Sequence, residues 1–329
     1  MNFVYRPAFA ILCAVLAGSA FAGESDPLIL ESAIPLGDVS GRIDHLAVDL
    51  VHQRLFVAEL GNDSVGVVDL KEGHLLKTLA GLSEPQGIGY VPATNEIYVA
   101  NGGDGTVRIF GGDDLASRGQ VRLGRDADNV RVAFEPARVL VGYGSGGLAV
   151  IDPSSHSRIA NIKFKGHPEG FQVVPGTDRV IVNVPDENGL AVLDLNSASQ
   201  VAFWPLDDVR GNFPLAVSEM AGDVWLVTRS PARLLAMSPA TGTRTTVLDS
   251  CGDADDVFTD PKRHRIYVSC GSGFIDVWEQ KAGAYRRIAH QVIPPGARTA
   301  LFVPGLDKLY LAVRATIGKP AAIWVFRLQ

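Results

Sequence analysis

Short apolar runs of β-favouring residues, such as Leu55-Phe56-Val57-Ala58 and Ile97-Tyr98-Val99-Ala100, recur along the whole chain. The second residues of seven such runs are Phe56, Tyr98, Leu140, Ile181, Trp225, Tyr267 and Tyr310, at spacings of 42, 42, 41, 44, 42 and 43. Each run is short and rich in β-favouring residues, which predicts a strand. A turn containing Gly, Asn or Asp then leads to a second apolar run, as at Val65 to Asp69 and Val107 to Phe110, so each pair reads as a hairpin. Stretches on either side, such as Gln86 to Val91 and Gln120 to Leu123, add two further strands. Four antiparallel strands in about 42 residues, repeated seven times, predict an all-β, seven-bladed β-propeller. The last copy stops at Gln329 after its third strand, and Leu28 to Leu36 supplies a fourth. An N-terminal strand closing the last blade would leave no unpaired edge at the seam.

Within blade two, the segment from Glu96 to Phe110 (Glu-Ile-Tyr-Val-Ala-Asn-Gly-Gly-Asp-Gly-Thr-Val-Arg-Ile-Phe) resembles the repeat of the YVTN-repeat, YncE-like bacterial propellers. Gly41 to Asp49 has the same character, and blades four, five and seven depart from it in the turn, as at Val184 to Gly189. The resemblance implies an exported seven-bladed propeller, and it implies fold more than function.

Residues 1 to 22 read as a secretory leader: Arg6, an apolar stretch from Ala8 to Leu16, and Ala20-Phe21-Ala22 as a small-x-small cleavage site. Cleavage after Ala22 would leave residues 23–329 as one propeller domain in the periplasm or the medium. The apolar stretch is too short for a bilayer, which takes about 20 residues, and no later segment reaches that length uncharged. Cys13 falls within the leader, and in that compartment the two remaining cysteines can pair. Cys251 precedes the inner strand of blade six and Cys270 ends its neighbour, so a disulfide between them is expected. Composition agrees with a folded chain. It is 47% apolar with a net charge of -6, which excludes disorder, and its 35 glycines supply the turns. No block of Lys or Arg offers a footprint for nucleic acid, so none is expected as a partner, and a monomer is.

Familiar catalytic motifs are missing or misplaced. Gly142-x-Gly144-x-x-Gly147 matches the dinucleotide fingerprint, yet it sits in a hairpin where no helix can receive a pyrophosphate. The chain has no His-Glu-x-x-His, no Walker loop, no Gly-x-Ser-x-Gly and no Cys-x-x-Cys.

In a propeller, the loops leading into the inner strands surround one mouth of the central channel. Twelve residues before each anchor stand Asp44, Gln86, Asp128, Glu169, Phe213, Asp255 and Arg298. Followed by their successors, among them His45, Asn129 and Asp256, and by positions two residues upstream, among them Arg42 and His167, they make 21 places. Eight are carboxylates, against 36 in the 329-residue chain, so an acidic mouth is expected. Asp126-Ala127-Asp128-Asn129-Val130 and Asp253-Ala254-Asp255-Asp256-Val257 are nearly identical knuckles three blades apart. Facing across the channel, Asp128 and Asp255 could share a divalent cation such as Ca²⁺, which takes oxygen ligands. Alternatively these residues cap their own turns. His45 beside Asp44, and His167 beside Glu169, could each be a base whose tautomer a carboxylate holds, or a metal ligand. Arg298 could meet an anionic group or neutralise the rim. No complete catalytic constellation emerges. The leading expectation is an exported binding or scaffold propeller whose acidic mouth holds a small ligand, cation or partner protein. The alternative is a metal-assisted lyase or lactone hydrolase acting at the same face.

Overall fold

The computed structural model describes residues 26–218 and 222–329; the leader expected at residues 1 to 22 lies outside them. Seven four-stranded antiparallel sheets make up the described residues. Blade two is representative, with strands Pro85–Val91, Glu96–Asn101, Thr106–Gly111 and Ser117–Arg122 running from the channel outward. The seven anchors lie in the second strands, none more than 3% exposed. The residues around each anchor are apolar because each strand is sandwiched between the neighbouring blades. Outer strands face water on one side and alternate instead, as in His74–Ala80, where only Leu75 and Leu79 are half-buried.

The apolar side chains gather into seven clusters, one at each junction between blades. Between blades two and three, for example, Tyr98 and Val107 pack against Val130 and Val141. Each such side chain contributes about 1.5–3 kcal/mol by leaving water. The inner strands touch one another in turn around the ring, including Leu46–Asp49 of blade one against Ala300–Val303 of blade seven.

The ring closes as the sequence predicts. Leu28–Pro35 pairs antiparallel with Ala322–Leu328 as the outer strand of blade seven, with Ile34 opposite Ile323. The strand stops one residue before Leu36, whose amide still donates to the Ala321 carbonyl at 2.9 Å. Cys251 and Cys270 form a disulfide in blade six. Among the described residues, no helix is long and apolar enough to cross a membrane. Away from the channel, three partly exposed histidines engage carboxylates buried in the blades. His52 meets Asp49 at 2.8 Å, His156 meets Glu96 at 2.9 Å, and His290 meets Asp276 at 2.5 Å.

Candidate functional site

The mouth is shaped by irregularities in three inner strands. Glu84, Asp126 and Asp253 adopt left-handed backbone angles, with φ of 50°, 58° and 58°. Their carbonyls accept from the amides of Gly102, Gly144 and Gly271. Strand pairing then slips between Pro85 and Ile88, Ala127 and Val130, and Ala254 and Asp256. An extra residue in a strand bends it and re-aims its side chains. Gln86, Asp128 and Asp255 lie in these slips and line the channel.

Two adjoining cavities result, a deeper one of about 310 Å³ and one at the mouth of about 260 Å³. All seven ring positions line one or both. Asp128, Glu169, Phe213 and Asp255 are common to the two, Asp44 faces the deeper one, and Gln86 and Arg298 face the mouth. His45, Asn129 and Asp256 also line the deeper cavity, and His167 the mouth.

Burial dominates the electrostatics. It pushes the Asp44 carboxyl up to about 6, against the pull of His45 and of Arg42, whose guanidinium stands 2.8 Å away. Burial likewise raises Asp256 to about 7, although its carboxylate accepts from the Ala300 amide at 2.8 Å. Glu169 takes no hydrogen-bond donor among the described residues; burial, followed by the nearby charge of Asp128, raises it well above the carboxylate range. For His167 burial opposes protonation, but Asp128, the Gly144 carbonyl and the carboxylates of Glu169 and Asp126 outweigh it and raise the imidazole.

The two knuckles share a backbone and differ in their surroundings. Asp253 pairs with Arg229 at 3.2 Å and Arg298 at 2.8 Å; Asp255 pairs with the same two at 2.9 and 3.1 Å. Arg229 lies 3.8 Å over the Phe213 ring. Among the described residues, Asp128 has no arginine within ion-pair distance; its ionic neighbour is His167 at 3.6 Å. Ligand atoms of Asp128, His167 and Glu169 all lie within 4.8 Å of one another. Asp253, Asp255 and Asp256 reach groups of adjacent blades and not their own turns.

His167 Nδ1 stands 2.7 Å from the Gly144 carbonyl oxygen. A carbonyl can only accept, so Nδ1 carries a proton, and in the neutral ring the lone pair is then on Nε2. The tautomer is therefore set by backbone in the loop that carries the false dinucleotide fingerprint, and not by Glu169. His45 Nε2 is 3.9 Å from Asp44, too far for a hydrogen bond.

Three arginines escape the sequence count. Arg229 and Arg314 stand four residues after their anchors, where blades two, three and six carry Gly102, Gly144 and Gly271. Aligning the repeats at that position would have found both. Arg131, on the inner strand of blade three, donates to the Val130 carbonyl at 2.9 Å, and burial lowers its pKa. The mouth is thus less uniformly acidic than expected. Guanidinium groups pair with Asp44, Asp253 and Asp255, whereas Asp128 and Glu169, the two carboxylates that line both cavities without an arginine partner among the described residues, belong to blades three and four.

No family model matches this chain, and no curated protein matches it in sequence. The fold is similar to that of a chain of Kuenenia stuttgartiensis hydrazine synthase, with a TM-score of 0.77, 13% identity, and coverage of 89% of this chain and 96% of that one. It is equally similar to a chain in the crystal structure of a mitotic checkpoint complex, with a TM-score of 0.78, 13% identity, and 99% of each chain covered. At such identity the likeness establishes the fold alone, and the chain is a seven-bladed β-propeller.

Proposed function

We propose that this protein is an exported binding propeller of the YVTN-repeat kind that holds a small cationic ligand at the channel mouth. The observation that carries this reading is the pair of carboxylates, Asp128 and Glu169, facing cavities of about 260 and 310 Å³ and having, among the described residues, no arginine or lysine in ion-pair distance. Carboxylates in a low-dielectric cavity that no guanidinium neutralises attract and hold a cation, and cavities of this size suit a small molecule or ion. The leader pattern and the Cys251–Cys270 disulfide support export. A second reading, a metal-assisted lyase or lactone hydrolase, is favoured by one feature: the grouping of His167 with the two carboxylates. The binding reading needs fewer parts, since among the described residues no Ser or Cys nucleophile lines either cavity.

Isothermal titration of the purified mature chain with putrescine, choline, arginine and divalent metal chlorides tests the reading. Saturable binding of at least one of these cations is expected, weakened tenfold or more by Asp128→Asn and Glu169→Gln. Absence of binding by all of them, or binding indifferent to both substitutions, overturns it.

A further inference from the structure

We infer that Asp128, His167 and Glu169 bind one divalent first-row transition-metal ion. This rests on the reading of the mouth as a cation site and names the cation. Ligands about 2.0–2.2 Å from a metal stand within about 4.4 Å of one another, and the three donor atoms already lie within 4.8 Å. Small rotations would close the remainder. Backbone places the donors: Asp128 comes from the slipped inner strand of blade three, while His167 and Glu169 flank Pro168, whose ring stiffens the loop into blade four.

Two observations outside the triad point to a ligand. Metal-binding histidines commonly donate their second ring N–H to a carbonyl or carboxylate, which fixes the ring and strengthens the free nitrogen as a donor. His167 does this through Gly144. Next to Asp128, Asn129 is 2% exposed, lines the deeper cavity and has a buried side-chain oxygen with no hydrogen-bond partner. Such an orphaned acceptor costs about 1–3 kcal/mol unless something donates to it, as water held by a metal would.

The donor set selects the ion. One imidazole with two carboxylates suits Mn²⁺, Fe²⁺, Co²⁺ or Zn²⁺, whereas Ca²⁺ prefers six to eight oxygens. Three protein ligands leave positions open toward the mouth cavity, the arrangement of sites that exchange water or bind a further ligand. Asp255 is not part of the set, because Arg229 and Arg298 already hold it.

Co²⁺ titration of the untagged, chelator-stripped mature chain, read by visible absorption and calorimetry, tests the assignment. One Co²⁺ per chain is expected, with a ligand-field band that Zn²⁺ abolishes by competition. His167→Gln and Glu169→Gln should each weaken binding at least tenfold, and His74→Gln, on the exposed outer strand of blade one, should leave it unchanged. Melting curves of the apo variants establish that they fold. Three results overturn the proposal: no saturable Co²⁺ binding, equal binding by both variants, or loss of binding in Asp255→Asn as large as in Glu169→Gln. Saturable binding of putrescine, choline or arginine without Co²⁺ binding would sink the metal and leave the cation site standing.

Discussion

Asp256 shows what a channel lined by charge asks of single residues. Its carboxyl is buried among Asp255, His45, Arg131 and the Ala300 amide, and its pKa is raised from 3.8 to about 7. Between those values the folded chain holds a proton that the unfolded chain has released. The sign follows: stability from this group is full below about pH 4, falls as pH rises, and is gone above about pH 7. Asp256→Asn removes the ionisable group and keeps an oxygen that can accept from Ala300. The variant should be more stable than the parent at pH 8, by on the order of 1–3 kcal/mol, and nearly equal at pH 4. Urea midpoints at the two pH values check this, and a variant destabilised equally at both would refute the assigned cause.

At the scale of elements, backbone spacing between inner strands places the site. A Cβ on Gly87 would lie 2.1 Å from the Asp128 carbonyl oxygen and 2.8 Å from the Val130 amide nitrogen. Neither atom is the end of a flexible chain, so one strand must shift. Gly87→Ala should therefore cost about 1–3 kcal/mol and weaken cation binding at the mouth, although Gly87 lies outside the ligand set. Chemical unfolding together with Co²⁺ titration tests both effects; unchanged stability would mean that the inner strands are not in backbone contact. The outer hairpins show a different regularity. Third and fourth strands slip register at equivalent points in six blades, as between Val67 and Val68 and between Ile109 and Phe110. Turn residues alone do not reveal these bulges, each of which bends its strand and increases the local twist of the blade.

For the whole molecule, the seam between the termini is the decisive contact. Leu28 and Ile34 are each 3% exposed and bury their side chains at the two junctions of blade seven. Removing residues up to Pro35 should cost on the order of 3–6 kcal/mol and bare the edge of Ala322–Leu328, a template for pairing with other chains. A lower melting temperature and growing light scattering are the expected outcome. A truncated chain as stable and monodisperse as the parent would show that the ring does not need its clasp.

The repeat, the hairpins, the closing strand, the disulfide and the circle of residues at the channel were all legible in the sequence. Each follows from a period or a local pattern, and period translates directly into blade geometry. Tertiary structure alone decided which charges meet. Nearly identical pentapeptides at Asp126 and Asp253 fold alike, yet one faces His167 and Glu169 while the other is held by Arg229 and Arg298. A sequence pattern records what one segment carries; the field at a channel mouth is the sum over seven segments drawn together by ring closure.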